Sequence, residues 1–472
     1  MTLVLSLHRR LSFLVTVCCV LTEIHGVNSA LYESIADEFE SIIENNGFSI
    51  NHGKMVMDKA EQCGYSGDGN YGIYEIPTAP NEFTVDLNTA CEHRFGPTEA
   101  VVFMCQTPPS EAEYFSYTHF LSTKIHLGRS KKIEASLSDS INPINVNVLS
   151  KSDDSKDSFG KDIAIITTAS QETLNIVKAA LIEAGVPDGV INYQVISADV
   201  VDIGLSKGSD SIGFIHHVIG LDEQSGYLND RSVYLDDPKC TVVRLTPGVG
   251  ESRSGVQAYK PFPPSERAPN GSGDDEDYLR RPLNKVERSI KTSIIAKYQT
   301  VNAATVSQAK DPESCISKFK PCSGDNSDAI TFTNFPGMPY HTNSFYILYG
   351  VNHVQTGFAT VQTISVNDMG GNLLGMVNVN AELIGSASAY PNVEDNDELF
   401  AVMITRDCRG SDFCLEISPS IGEDRSKYGP LTFSEDIILN PNTGTAPSEK
   451  EILVFRVLYG KFLGGALPRS IN

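Results

Sequence analysis

Residues 163–196, IAIITTASQETLNIVKAALIEAGVPDGVINYQVI, carry the clearest structural signal in the chain. An apolar, β-branched run at 163–167 predicts a strand. Thr168 and Gln171 stand at capping-box spacing, and Leu174, Val177, Leu181 and Ile182 then recur at the helical interval, which predicts a helix over 171–184. Gly185 and Pro187 stop that helix before a second apolar run at 190–196. Further on, 212–221 reads as a third strand, 222–235 as a helix weakened by Gly226, and 241–245 as a fourth strand. The order β-α-β-β-α-β predicts a ferredoxin-like unit over 160–247.

Toward the N-terminus the polar run SKSDDSKDS at 150–158 separates this unit from residues 30–150. These open on an amphipathic helix at 31–44, with Leu31, Ile35, Phe39, Ile42 and Ile43 at helical spacing. Short β-rich runs follow at 83–87, 100–105, 114–121, 133–137 and 144–149, the pattern of a sandwich-like domain. Residues 1–29 combine Arg9 and Arg10, an apolar run at 11–21 and small residues before Ala30, the pattern of a secretory signal cleaved near Ser29. That run is shorter than the about 20 residues a bilayer requires, and no later stretch is long and apolar enough to serve as a transmembrane anchor.

Toward the C-terminus, 248–277 is rich in Gly, Pro, Ser and acids and reads as a linker. It contains Asn270-Gly271-Ser272, a glycosylation sequon in a eukaryotic host. A helix over 281–298, with Leu283, Val286, Ile290, Ile294 and Ile295 on one face, then leads a second β-rich region, so residues 278–472 read as helix plus sandwich. Residues 100–122 and 343–366 echo one another as strand, polar turn and strand, an echo that two unrelated hairpins explain as well as duplication does. The fold class expected is α+β, with two β-sandwich-like regions flanking a ferredoxin-like βαββαβ unit.

Ten cysteines less Cys18 and Cys19 of the signal leave eight, an even number that in an exported chain predicts disulfides. Cys408 with Cys414 and Cys315 with Cys322 read as local bridges. Cys63, Cys91, Cys105 and Cys240 would supply the other two, in any of three arrangements. A formal charge of -22 is expected to repel nucleic acid and anionic membrane surfaces, whose binding depends on Lys and Arg patches, and serves solubility. The absence of Trp weakens a glycan platform, although 18 Tyr and 21 Phe partly substitute.

Nucleotide, zinc-protease and nucleophile-elbow motifs are missing, and no spacing calls for a metal or organic cofactor. The acidic run at 394–398 reads as a solvated face rather than a calcium site. His216 and His217 are adjacent on a strand, so they point to opposite faces, one of them to solvent. The remaining catalytic candidates are His353, in the turn YGVNH, with His341 upstream and Asp368 downstream. A turn at a strand end displays such a histidine at a sheet rim, where it would act as a general base. The competing reading has Asn352 and His353 satisfying turn backbone groups. The sequence thus predicts a secreted, disulfide-stabilised binding module for an extracellular protein or glycan, and as the alternative a secreted hydrolase using His353, His341 and Asp368.

Overall fold

A single long strand turns a corner and so builds both layers of the N-terminal half. In the computed structural model the described residues are 27–57, 63, 70–149, 155–221, 234–238, 240–248, 259–263, 271–295, 298–301, 306–307, 312–322, 328–334, 344–368, 373–393, 396–408, 410–417, 430–440 and 443–462. Helix α1 (Val27–Asn45) precedes strands β1 (Phe48–Val56), β2 (Asn70–Glu75), β3 (Ala100–Gln106), β4 (Tyr114–His126), β5 (Arg129–Ser136) and β6 (Asp162–Thr168). Helix α2 (Gln171–Glu183), β7 (Ile191–Val195), β8 (Ser211–Ile219) and β9 (Thr241–Pro247) complete the half. The nine strands form one sheet in the order β5-β4-β8-β2-β1-β9-β3-β6-β7.

Residues 48–53 of β1 pair with β9, whereas residues 54–56 pair with β2. Gly53 stands at the change of partner, where a Cβ would lie 2.5 Å from the carbonyl oxygen of Glu75, so the bend requires glycine. The two half-sheets consequently face one another. Phe103 of β3 meets Tyr117 of β4 at 5.2 Å between ring centroids, and Gln194 of β7 donates to the Tyr117 carbonyl at 2.8 Å. The outer face of the β9-β3-β6 half is covered by α1 and α2 through Phe39, Ile43, Leu174, Val177 and Leu181.

The strand, helix, strand reading at 163–196 corresponds to β6, α2 and β7, but the cap is Ser170, whose hydroxyl accepts from the Thr173 amide, and not Thr168. Thr168 is the last residue of β6 and its hydroxyl instead donates to the Glu99 carbonyl. The ferredoxin-like unit is corrected. β6 and β7 are direct parallel neighbours, β8 lies between β4 and β2, and β9 lies between β1 and β3. Segment order names the elements without naming their partners, and the strands of 30–150 and 160–247 interleave. Of the helix expected over 222–235, all but the last two residues lie outside the described residues, as do residues 1–26 of the expected signal.

Residues 83–87 and 144–149 are not strands. The first is held as irregular chain by buried arginines: Arg94 donates to the Phe83 carbonyl, to Asp86 and to the Ser209 carbonyl, while Arg244 bridges Glu82 and Glu99 at 2.6 and 2.8 Å. The second follows a turn in which Asn142 accepts from the Ile144 and Asn145 amides, after which Asn192 accepts from the Asn147 amide.

The C-terminal half is a β-sandwich. Its elements are α3 (Arg280–Ile295), β10 (Tyr298–Val301), β11 (Val306–Ser307), α4 (Pro312–Ser317), β12 (Ala329–Asn334), β13 (Ser344–Val351), β14 (Val361–Asn367) and β15 (Leu373–Asn378). A short α5 (Val379–Glu382), β16 (Leu399–Thr405), β17 (Cys414–Glu416), β18 (Thr432–Ile438) and β19 (Arg456–Phe462) follow. One sheet has the order β10-β19-β13-β16-β17 and the other β11-β12-β18-β14-β15. Tyr346, Leu348, Val402, Ile364, Phe433 and Ile437 fill the space between them. Alternate residues of β13, Phe345, Ile347 and Tyr349, face the other way and pack with Leu283, Val286 and Ile290 of α3, so β13 is buried on both faces. The echoing segments are not hairpins, because β3 and β4 lie in facing half-sheets and β13 and β14 in facing sheets.

The halves meet where Tyr114 and Ile219 pack against Val361, Ile438 and Leu439. Beside them the buried Asp328 carboxylate accepts from Tyr114 at 2.7 Å, from Asn142 at 3.0 Å and from the Ser140 hydroxyl. Burial pushes Asp328 up to about 6 against these hydrogen bonds. Four disulfides join Cys63 to Cys91, Cys105 to Cys240, Cys315 to Cys322 and Cys408 to Cys414. Both expected local bridges are present, and the open choice among the other four cysteines is resolved. Among the described residues no helix is long and apolar enough to cross a membrane.

Candidate functional site

β13 ends at Val351 and the chain turns back through residues 352–360 to enter β14 in the opposite sheet. Asn352 makes that turn, its side-chain oxygen accepting from the Val354 and Gln355 amides at 3.2 and 3.3 Å. Its expected role as a turn cap is therefore observed. His353 does something else: it points inward, fully buried, and is not displayed at a rim.

The imidazole lies between two carboxylates that the sequence reading missed. Nδ1 donates to Glu276 Oε1 at 2.8 Å, and Nε2 is 3.7 Å from Glu435 Oε1. Glu276 Oε1 also accepts from Thr356 Oγ1 at 2.7 Å, and its Oε2 from the Leu453 amide at 2.8 Å. Glu435 accepts from Gln362 at 2.8 Å and from the Phe455 amide at 3.3 Å, while Gln362 accepts from the His353 amide at 2.7 Å. Every member is buried except Thr356, which is partly exposed.

Burial alone would depress the His353 pKa, but the Glu276 and Glu435 carboxylates outweigh it and hold the ring above its ordinary value. Burial pushes Glu435 up to about 7, with the His353 charge opposing the rise. The two acidic side chains thus favour the charged form of the imidazole, and the buried Glu435 is the member whose protonation changes near neutrality.

A cleft of about 670 Å³ opens on the other side of Thr356. Its lining includes Asp274, Asp275, Tyr278, Thr356, Phe358 and Asn440. The wall from the 271–278 segment, read from sequence as the end of a linker, is firmly anchored. Glu451 accepts from the Gly273 amide at 2.5 Å and from Ser272 at 3.2 Å, and the Glu276 amide donates to the Glu451 carbonyl at 2.8 Å. Tyr278 is fixed by donation to Glu398 at 2.8 Å. Asp275, which lines the cleft, accepts from the Asp277 amide through Oδ1 at 3.1 Å, a bond that occupies one of its two carboxylate oxygens.

Asp368 follows the last residue of β14, whereas Gln362, which touches His353, is near its start. Six residues at about 3.3 Å each put about 20 Å between them, so Asp368 does not meet His353. His341 and the sequon residue Asn270 lie outside the described residues, as do Glu394 and Asp395 of the acidic run. Among the described residues no group of three or more His, Cys, Asp or Glu side chains is arranged to hold a metal ion.

The solvent-facing histidine expected of the adjacent pair is a correction: His216 and His217 are both buried. They do take opposite faces. His216 stacks on Tyr117 and contacts the Tyr234 hydroxyl at 2.9 Å, and burial pushes its pKa down to about 3; His217 stacks on Tyr71.

No protein-family model matches the chain, and no curated protein matches it. Among solved structures it is similar to an uncharacterized protein from Burkholderia cenocepacia, with 10% identity, coverage of 93% of this chain and 89% of that one, and a TM-score of 0.41. It is also similar to the VPA0106 protein from Vibrio parahaemolyticus, with 9% identity, coverage of 92% and 100%, and a TM-score of 0.38.

Proposed function

We propose that the chain is an exported, disulfide-stabilised binding protein that takes a glycan in the cleft above Glu276. The observation that carries this reading is the lining, in which carboxylates (Asp274, Asp275), an amide (Asn440) and a hydroxyl (Thr356) stand beside the rings of Tyr278 and Phe358. Sugar hydroxyls need acceptors and donors at close intervals, and the apolar face of a pyranose needs a ring to lie on. His353 fits the same reading as a brace. It ties the cleft wall at Glu276 to β18 at Glu435 and presents no ring nitrogen to solvent.

The test is a printed glycan array probed with the full chain, followed by titration of the saccharides that bind. Asp275→Asn keeps the acceptor used by the Asp277 amide, and Tyr278→Ala removes the ring. Each should weaken binding by about tenfold or more, as loss of a central contact does. A saccharide whose affinity both variants leave unchanged would remove the cleft from the account. Export is tested by N-terminal sequencing of secreted protein, which should begin near Ala30.

One observation favours the hydrolase alternative: the 2.8 Å contact from Glu276 to His353 is the carboxylate-to-imidazole orientation that a general base uses. Screening ester, glycosidic, peptide and phosphate substrates separates the two. Turnover that falls about a hundredfold or more in His353→Gln would replace the binding reading with catalysis.

A further inference from the structure

Two basic segments far apart in sequence form one surface. Residues 124–132, KIHLGRSKK, contain four Lys or Arg and no Asp or Glu, and residues 315–322, CISKFKPC, contain two Lys and no acid, in a chain of formal charge -22. Lys131 Nζ donates to the Phe319 carbonyl at 3.0 Å and lies 5.5 Å from the Phe319 ring centroid. His126 contacts the same ring at 5.5 Å, and the Cys322 amide donates to the Ile133 carbonyl at 2.6 Å. The bridge from Cys315 to Cys322 closes this loop against β5. Lys124 and Lys132 have acidic partners in Asp210 and Glu134. Arg129, Lys318 and Lys320 are exposed and form no ion pair among the described residues.

The tip of this surface is unusual. His126 pairs with Arg129, so the turn between β4 and β5 is the two residues Leu127 and Gly128, with φ of 51° and 73°. Two-residue hairpin turns with both φ positive strongly favour Asn, Asp or Gly at the first position, because a side chain there meets its own backbone. Leu127 is 90% exposed, so it gains no burial in this chain to offset that strain. An apolar side chain held in a costly conformation at the outermost point of a basic hairpin is accounted for by a contact outside the chain.

We propose that the β4–β5 tip docks the protein on an anionic lipid surface, with Leu127 entering the acyl boundary and Arg129, Lys131, Lys318 and Lys320 meeting the headgroups. A soluble polyanion would satisfy the cations but offers nothing to Leu127, which is why a lipid surface is the better partner. The acidic remainder of the molecule does not prevent this, since charges more than about 8 Å from the headgroups are largely screened at physiological salt.

The experiment is co-sedimentation of the full chain with phosphatidylcholine vesicles, with and without phosphatidylserine. Binding should require phosphatidylserine, weaken as salt is raised, and fall about fivefold for each cation removed in Arg129→Ala and Lys318→Ala. Leu127→Gly should also weaken binding while leaving the melting temperature unchanged or higher, because glycine relieves the positive φ. A merely structural Leu127 would show the reverse. Absence of binding to phosphatidylserine vesicles, or binding that Leu127→Gly leaves intact, overturns the proposal. Binding to heparin but not to vesicles assigns the surface to a soluble polyanion and likewise overturns it.

Discussion

Replacing Glu435 by Gln should flatten the pH dependence of stability, and the size of the change follows from the site. Burial raises Glu435 from an ordinary 4.5 to about 7. Between those values the folded state holds a proton that the unfolded state has released, so stability falls as pH rises. The gap from 4.5 to about 7, at about 1.4 kcal/mol for each step of one in pH, is about 3 to 4 kcal/mol over the whole titration and about 2 kcal/mol between pH 5.5 and pH 8. His353 has the same sign, since its raised pKa contributes stability at low pH that is lost as pH climbs through the folded value. Glutamine at 435 keeps one acceptor for the Gln362 amide group but sets its own NH2 against the Phe455 N–H, donor against donor, so at pH 5.5 the variant should be less stable than wild type by about 1 to 3 kcal/mol. Urea unfolding at pH 5.5, 7 and 8 then reads the difference directly. Wild type should lose about 2 kcal/mol more than the variant over that range. Parallel curves, or a wild type that gains on the variant as pH rises, would refute the reasoning.

Leu181→Ala, which hollows the contact between α2 and the sheet, should cost about 2 to 5 kcal/mol with an unchanged denaturant slope. Asp328→Ala strips the acceptor from three buried donors at the junction of the halves and should lower stability by about 3 kcal/mol or more in the same assay. Removing the bridge between Cys105 and Cys240, 135 residues apart, should destabilise by about 5 kcal/mol, against about 2 kcal/mol for Cys408 and Cys414, 6 apart; paired serine variants compared by thermal unfolding check the ranking.

What could be read from the sequence was local. The helix at 171–183 announces itself because its apolar stripe and its stop at Gly185 depend on neighbours within a few turns. The two short-range bridges were legible for the same reason. β8 and β9 were seen as strands but assigned to the wrong partners, because pairing with β4 spans about 100 residues and pairing with β3 about 140, and neither leaves a local pattern. β1 escaped because FSINHGKMV mixes half-exposed polar positions with Gly53, the residue its bend requires. The site was half legible. His353 was found from its turn, while Glu276 was hidden in a run of Gly, Ser and acids that composition alone marks as solvated. Glu435 did leave a trace: Phe433, Glu435 and Ile437 alternate on the buried face of β18, which places a carboxylate in an apolar register.

The central claim is that His353 is a charged brace between two carboxylates, set behind the cleft wall and not reacting within the cleft. The direct measurement is the ¹⁵N shift of both His353 ring nitrogens as pH is varied, alongside its modification by diethyl pyrocarbonate. Both nitrogens should be protonated at pH 7 and the ring should resist modification in the folded protein. A neutral His353 that the reagent modifies readily would contradict the account and return the histidine to the role of an accessible base.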